Sequence, residues 1–138
     1  MSRLAALALA VALAATPTAF LASPAQASPQ QHHGWTGYDS STLLSLTGTI
    51  LDVQYGNPHV LVNLEVPAEP EEDGTIEDPP IALMVVMAPP FRSESRGLPR
   101  EMLAPGTVVT YEGYLHTTES MELRAERIII GDLTVELR

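Results

Sequence analysis

The sequence predicts a mainly β domain: a small five-stranded, OB-like Greek-key barrel with one short helix between strands three and four. The order of segments points there, because three stretches of strand character precede a single helical stretch and two or three more strands follow it. A β-sandwich would need more strands and no helix at that position. Glycine and proline turn signals separate the segments at short intervals, as small β domains require.

Each element follows in order. Residues 28–42 are polar, include Gly34, Gly37 and the adjacent His32 and His33, and read as an extended N-terminal arm. The barrel occupies residues 43–138. Leu43 to Tyr55 is the first strand, with Gly48 as a bulge or bend. Beyond that bend Leu51, Val53 and Tyr55 share one face, and Asp52 and Gln54 the other. Gly56-Asn57-Pro58 is a turn. His59 to Val66 then alternates cleanly, with Val60, Val62, Leu64 and Val66 on one face. Pro67 to Pro80 is an acidic, proline-rich loop that reads as a solvated connection; a calcium site there would lack the regular EF-hand spacing. Ile81 to Met87 is a short apolar run suited to a buried strand. Ser93 to Leu103 is helical, interrupted by Gly97, with Pro99 opening a second short turn. Thr107 to His116 and Glu122 to Ile130 are strands, and Gly131-Asp132 turns into a last one, Thr134 to Leu137.

Residues 1–27 have the form of a secretory signal peptide. Arg3 supplies the positive end, Leu4 to Ala15 is apolar but too short to span a bilayer, and Ala25-Gln26-Ala27 is a small-x-small cleavage pattern. No cysteine follows it, so no lipid anchor is expected, and no later run is long and apolar enough for a stable membrane anchor. The location expected is the bacterial periplasm or the exterior. The full chain carries 7 Lys+Arg against 17 Asp+Glu, a formal charge of −10, and every basic residue is arginine. Removing Arg3 and no acid makes the mature protein one charge more negative. That balance repels phosphate backbones and anionic membranes, so nucleic acid is not an expected partner. With no cysteine there are no disulfides, thiolate metal sites or cysteine nucleophiles.

Several short motifs occur together: His32-His33-Gly34-Trp35, Tyr55-Gly56-Asn57-Pro58-His59, Ala88-Pro89-Pro90, Arg96-Gly97-Leu98, Ala104-Pro105-Gly106, Gly113-Tyr114-Leu115-His116 and Arg124-Ala125-Glu126-Arg127. As an ordered set they resemble an uncharacterised family of small bacterial periplasmic proteins of the domain-of-unknown-function kind. The resemblance implies a periplasmic, β-rich protein and carries no activity. Leu98 offers no side-chain oxygen to cap the turn that follows it.

The residues that could carry chemistry are the four histidines. His32 and His33 sit on the arm, His59 follows the first turn, and His116 ends strand four. In an OB-like barrel the loops between strands one and two and between strands four and five flank the ligand face, so His59 and His116 are expected at one cleft with the arm across it. Two or three imidazoles there would suit copper, zinc or nickel, and Met84, Met87 and Met121 would add thioethers for copper(I). Against this, no standard ligand spacing occurs, and the methionines can simply pack. An amino-terminal copper site is excluded, because Pro29 of the mature end lacks the amide it needs. Arg92, Arg96 and Arg100 recur every four residues and would align on one helical face, as an anion patch or as partners of the surplus carboxylates. Trp35 and Tyr38 would grip a ligand or staple the arm to the barrel.

No nucleophile elbow, phosphate loop or His-Glu-x-x-His motif is present, so catalysis has no support. The expected function is binding of a small ligand, most concretely copper or zinc through His32, His33, His59 and His116. The alternative is an envelope module that recognises a protein or a glycan without metal.

Overall fold

β1 (Leu44–Gln54) is the hub of the fold, because both halves of the sheet hang from it. In the computed structural model, which describes residues 34–76 and 78–138, its N-terminal half pairs with β4 (Val108–Leu115). Its C-terminal half pairs with β2 (Leu61–Val66). β2 pairs with β3 (Ile81–Val86), and β4 with β5 (Glu122–Ile130), all antiparallel. A parallel pairing of β3 with β5, from Met84↔Glu122 to Val86↔Arg124, closes the five strands into a barrel. β6 (Leu133–Glu136) extends β5 as a hairpin through Gly131, whose φ of 56° is the left-handed conformation glycine tolerates.

The alternation read from the sequence holds along β2: Val60, Val62 and Leu64 are wholly buried and Val66 nearly so. They face Val85, Leu98, Leu103, Tyr111, Leu123 and Ile128 in one continuous core. Gly48 is not the bulge expected. The register of β1 shifts between Ile50 and Asp52, which leaves Leu51 exposed. Gly48 is needed for another reason: a Cβ there would run into the carbonyl of Glu65 on β2. Gly113 plays the same part against the Arg124 carbonyl on β5, at a second register shift.

Between β3 and β4 the chain forms α1 (Pro90–Ser95), three residues earlier than the sequence pattern suggested, because Pro90 suits the first helical turn. It stops at Gly97, where the amides of Gly97 and Leu98 bond back to Glu94 and Ser93. Leu98, unable to cap, instead buries completely in the core. A 3-10 turn, Arg100–Leu103, follows and adds Leu103 to the same core. The residues assigned to the signal peptide, the start of the arm and His32 and His33 lie outside the described residues.

Candidate functional site

The strand register lays two rows of side chains across the outer wall of the barrel. One runs Gln54, Leu61, Val86, Arg124, Tyr114, and the other Asp52, Asn63, Met84, Glu122. The β1–β2 turn bounds this wall at one end and the loop from His116 to Met121 bounds it at the other. The arm crosses the second end. Tyr38 bridges to His116, the Asp39 amide donates to the Leu115 carbonyl, and the Thr117 amide donates to the Gly37 carbonyl.

Beneath the arm the wall is unusually polar for a buried surface. Tyr38, Glu122 and Arg124 are exposed by only 7%, 7% and 8%. The Tyr38 hydroxyl donates a short hydrogen bond to Oε1 of Glu122. Burial first, then that carboxylate, pushes the Tyr38 phenol far above its ordinary range. The Trp35 indole packs edge-on against Tyr38 and Tyr114, and the guanidinium carbons of Arg124 and Arg138 lie 5.4 and 4.6 Å from its ring centroid. Arg124 makes no ion pair with a described carboxylate, and its Nη1 is buried without a hydrogen-bond partner. Desolvation holds its guanidinium below the usual arginine value; Tyr38 and the Glu122 carboxylate oppose the shift, and the like charge of Arg92 adds a smaller push in the same direction as burial.

His116 is absorbed into this end of the fold. Its Nδ1 accepts the backbone amides of Thr118 and Glu119 at 3.2 and 3.1 Å, which assigns the proton to Nε2. Nε2 faces Gly37 so closely that a Cβ at that position would sit 2.6 Å from it. The ring also stands edge-on to Tyr38, with centroids 5.0 Å apart. His116 therefore shapes the loop and seats the arm, and only its Nε2 retains any capacity as a metal ligand.

His59 lies at the other end of the wall. It lines an open cleft of about 270 Å³ with Gln54, Tyr55, Asn57 and Leu61, beside the cis Asn57–Pro58 bond. A wider cleft of about 580 Å³ follows, lined by Asp52, Val53, Arg100, Leu103 and Pro105. The Arg100 guanidinium over the Tyr55 ring, 5.4 Å from its centroid, joins the two linings. Tyr55 donates to Glu94 at 3.0 Å, and burial with that contact pushes its phenol up to about 12.

His59 lies two residues before Leu61, which pairs with Gln54 and Val86, whereas His116 follows β4 and donates its amide to the Glu122 carbonyl at the start of β5. Among the described residues no three His, Asp or Glu side chains are grouped to hold a metal ion. The methionines are scattered: Met87 is in the core and accepts the Tyr111 hydroxyl, Met84 is half-buried on the wall, and Met121 is exposed.

The arginine row also comes apart, because α1 ends before Arg96. Arg92 is exposed and lies near enough to Arg124 to act on its charge, Arg96 donates to the carbonyls of Glu136 and Arg138 at 2.9 and 2.5 Å, and Arg100 covers Tyr55. None of the three makes an ion pair with a described carboxylate. The residue that sequence reasoning missed is Arg124. Its only signal was a basic residue flanked by Leu123 and Ala125 at the start of β5.

Among the described residues no helix is long and apolar enough to cross a membrane. A comparison with curated proteins finds no match to this chain. A family model does match, over residues 19–122, and it is described as a family of unknown function (DUF6152). The match takes in the arm, the Asn57–His59 turn and the wall as far as Glu122, so the chain belongs to this family of unknown function.

Proposed function

We propose that this chain is an exported, periplasmic binding protein that holds a small ligand on the outer wall between the β1–β2 turn and the β4–β5 loop, with the arm closing over it. One observation carries the reading: buried Tyr38, Glu122 and Arg124 gather under Trp35 on a surface the core does not need. This is also the wall on which barrels of this type carry their ligands. The surplus of acid argues against nucleic acid, and the Leu4–Ala15 run with Ala25-Gln26-Ala27 argues for export. Amide NMR shifts of the purified protein, mapped against sugars, amino acids and dicarboxylates, test the site. The expected shifts fall on Tyr38, Leu61, Val86, Tyr114 and Arg124. Shifts confined to the cleft of Arg100 and Pro105 would refute it.

A second reading keeps copper or zinc, favoured by one feature: His59 lines an open cleft. His32 and His33 of the arm would be its partners. Metal titration should then lose its stoichiometric phase in His59→Ala and retain it in His116→Ala. An unchanged phase in His59→Ala removes the metal reading.

A further inference from the structure

Arg124 poses a problem that its surroundings do not solve. A guanidinium carries five N–H donors and strongly resists burial unless oxygens receive them. Here the residue is 8% exposed, Nη1 meets no acceptor, and no described carboxylate pairs with it. This happens in a chain with 17 carboxylate side chains to choose from. Arg92, which is exposed and equally without a described carboxylate in ion-pair contact, stands close enough to repel it. The buried Glu122 carboxylate offsets part of this charge, but it is not in ion-pair contact with Arg124 and leaves the buried Nη1 donor without an acceptor.

The cover over Arg124 is unevenly fastened. Tyr38 is tied by its hydroxyl to Glu122 and by backbone bonds on either side. Trp35 is held mainly by ring contacts to Tyr38, Tyr114, Arg124 and Arg138. Ring contacts exchange more readily than a buried hydrogen bond breaks. The Trp35 end can therefore lift while Tyr38 keeps the arm in register.

We propose that Arg124 and Arg92 form an oxyanion subsite on the binding wall, taking a carboxylate or phosphate group of the ligand, with the Trp35 indole as its lid. This rests on the wall being the binding surface. Arg124 supplies the directed donors and Arg92 the exposed charge that steers the anion in.

Trp35 is the chain's single tryptophan, so its fluorescence reports on the lid alone. The purified protein is titrated with succinate and, separately, inorganic phosphate, each against sodium chloride at matched ionic strength. A saturable change with either oxyanion beyond the chloride control is expected, and which one responds identifies the source of the group. Arg124→Gln should weaken it about tenfold or more and Arg92→Gln several-fold, as loss of charge-assisted bonds predicts. Oxyanion curves that superimpose on chloride would overturn the subsite, as would unchanged affinity in both variants. Should Arg124→Gln fail to fold, the exposed Arg92→Gln decides alone. A neutral sugar that shifts Tyr114 and Leu61 amides equally in wild type and both variants would refute the subsite and leave the wall standing. Saturable oxyanion binding with amide shifts only around Arg100 would refute the wall itself.

Discussion

The inside of the barrel and the wall beneath the arm are both shielded from water, yet they are built on opposite rules. Inside, Val60, Val62, Leu64, Val85, Leu123 and Ile128 interlock, and even the buried Tyr111 hydroxyl is spent on the Met87 sulfur. Every group there is explained by packing. Under the arm, two oppositely charged side chains and a phenol are buried together, and one arginine donor is left unmet. Burial of that kind costs stability unless something returns it. The core specifies the barrel, while the wall keeps groups the barrel does not require.

The largest effect should come from the inside. Leu64→Ala opens a cavity at a fully buried position and should cost about 2–5 kcal/mol in denaturant unfolding. A cost near zero would mean that the core is not close-packed. Gly113→Ala comes next, because its methyl would overlap the Arg124 carbonyl across the β4–β5 pairing. A loss of about 1–3 kcal/mol is expected, with the damage passed directly to the wall. Tyr38→Phe takes the hydroxyl from Glu122 and should cost about 1–3 kcal/mol. Amide exchange should then quicken in residues 34–39 ahead of β2, and equal protection of both would show that the hydroxyl does not anchor the arm.

Alkali separates the two regions by spectroscopy. All four tyrosines are raised above their ordinary value of 10.0: Tyr111 and Tyr38 chiefly by burial, Tyr55 to about 12 by burial, and Tyr114 chiefly by its bond to Glu126. A raised folded pKa means that stability is complete below about pH 10 and falls as pH climbs toward 12, where the unfolded chain ionises first. The chain has neither lysine nor cysteine, so tyrosine dominates that window. Tyrosinate absorbance from Tyr38, Tyr55 and Tyr111 should be absent near pH 10 while the fold lasts and should appear together with unfolding. Ionisation at pH 10 that persists in the folded Tyr114→Phe variant would show that one of these three sites is more open than described.

Much of the barrel was legible because its signals are local. Alternation along Val60–Val66, the Gly97 stop and the Gly131 turn each act within a few residues. Gly48 was misjudged because the reason for it is 17 residues away in β2, where the Glu65 carbonyl approaches. The histidines illustrate the same limit. Loop positions placed His59 and His116 at the barrel rim, but they could not show that His116 is held by the Thr118 and Glu119 amides and seats the arm. Arg124 was legible only as part of the Arg124–Arg127 motif, since its role depends on Trp35 and Tyr38 of the arm and on Arg92 of α1, which reach it from distant parts of the chain.

Thermal unfolding of Arg124→Met is the most direct test of the claim that the wall carries a charge for binding and not for stability. Met keeps the apolar stem and removes the unmet cation. A melting temperature equal to or above that of the wild-type protein is expected. A fall of about 4–8 °C, the size expected for 1 kcal/mol lost from a domain of this class, would contradict it and make Arg124 a structural residue.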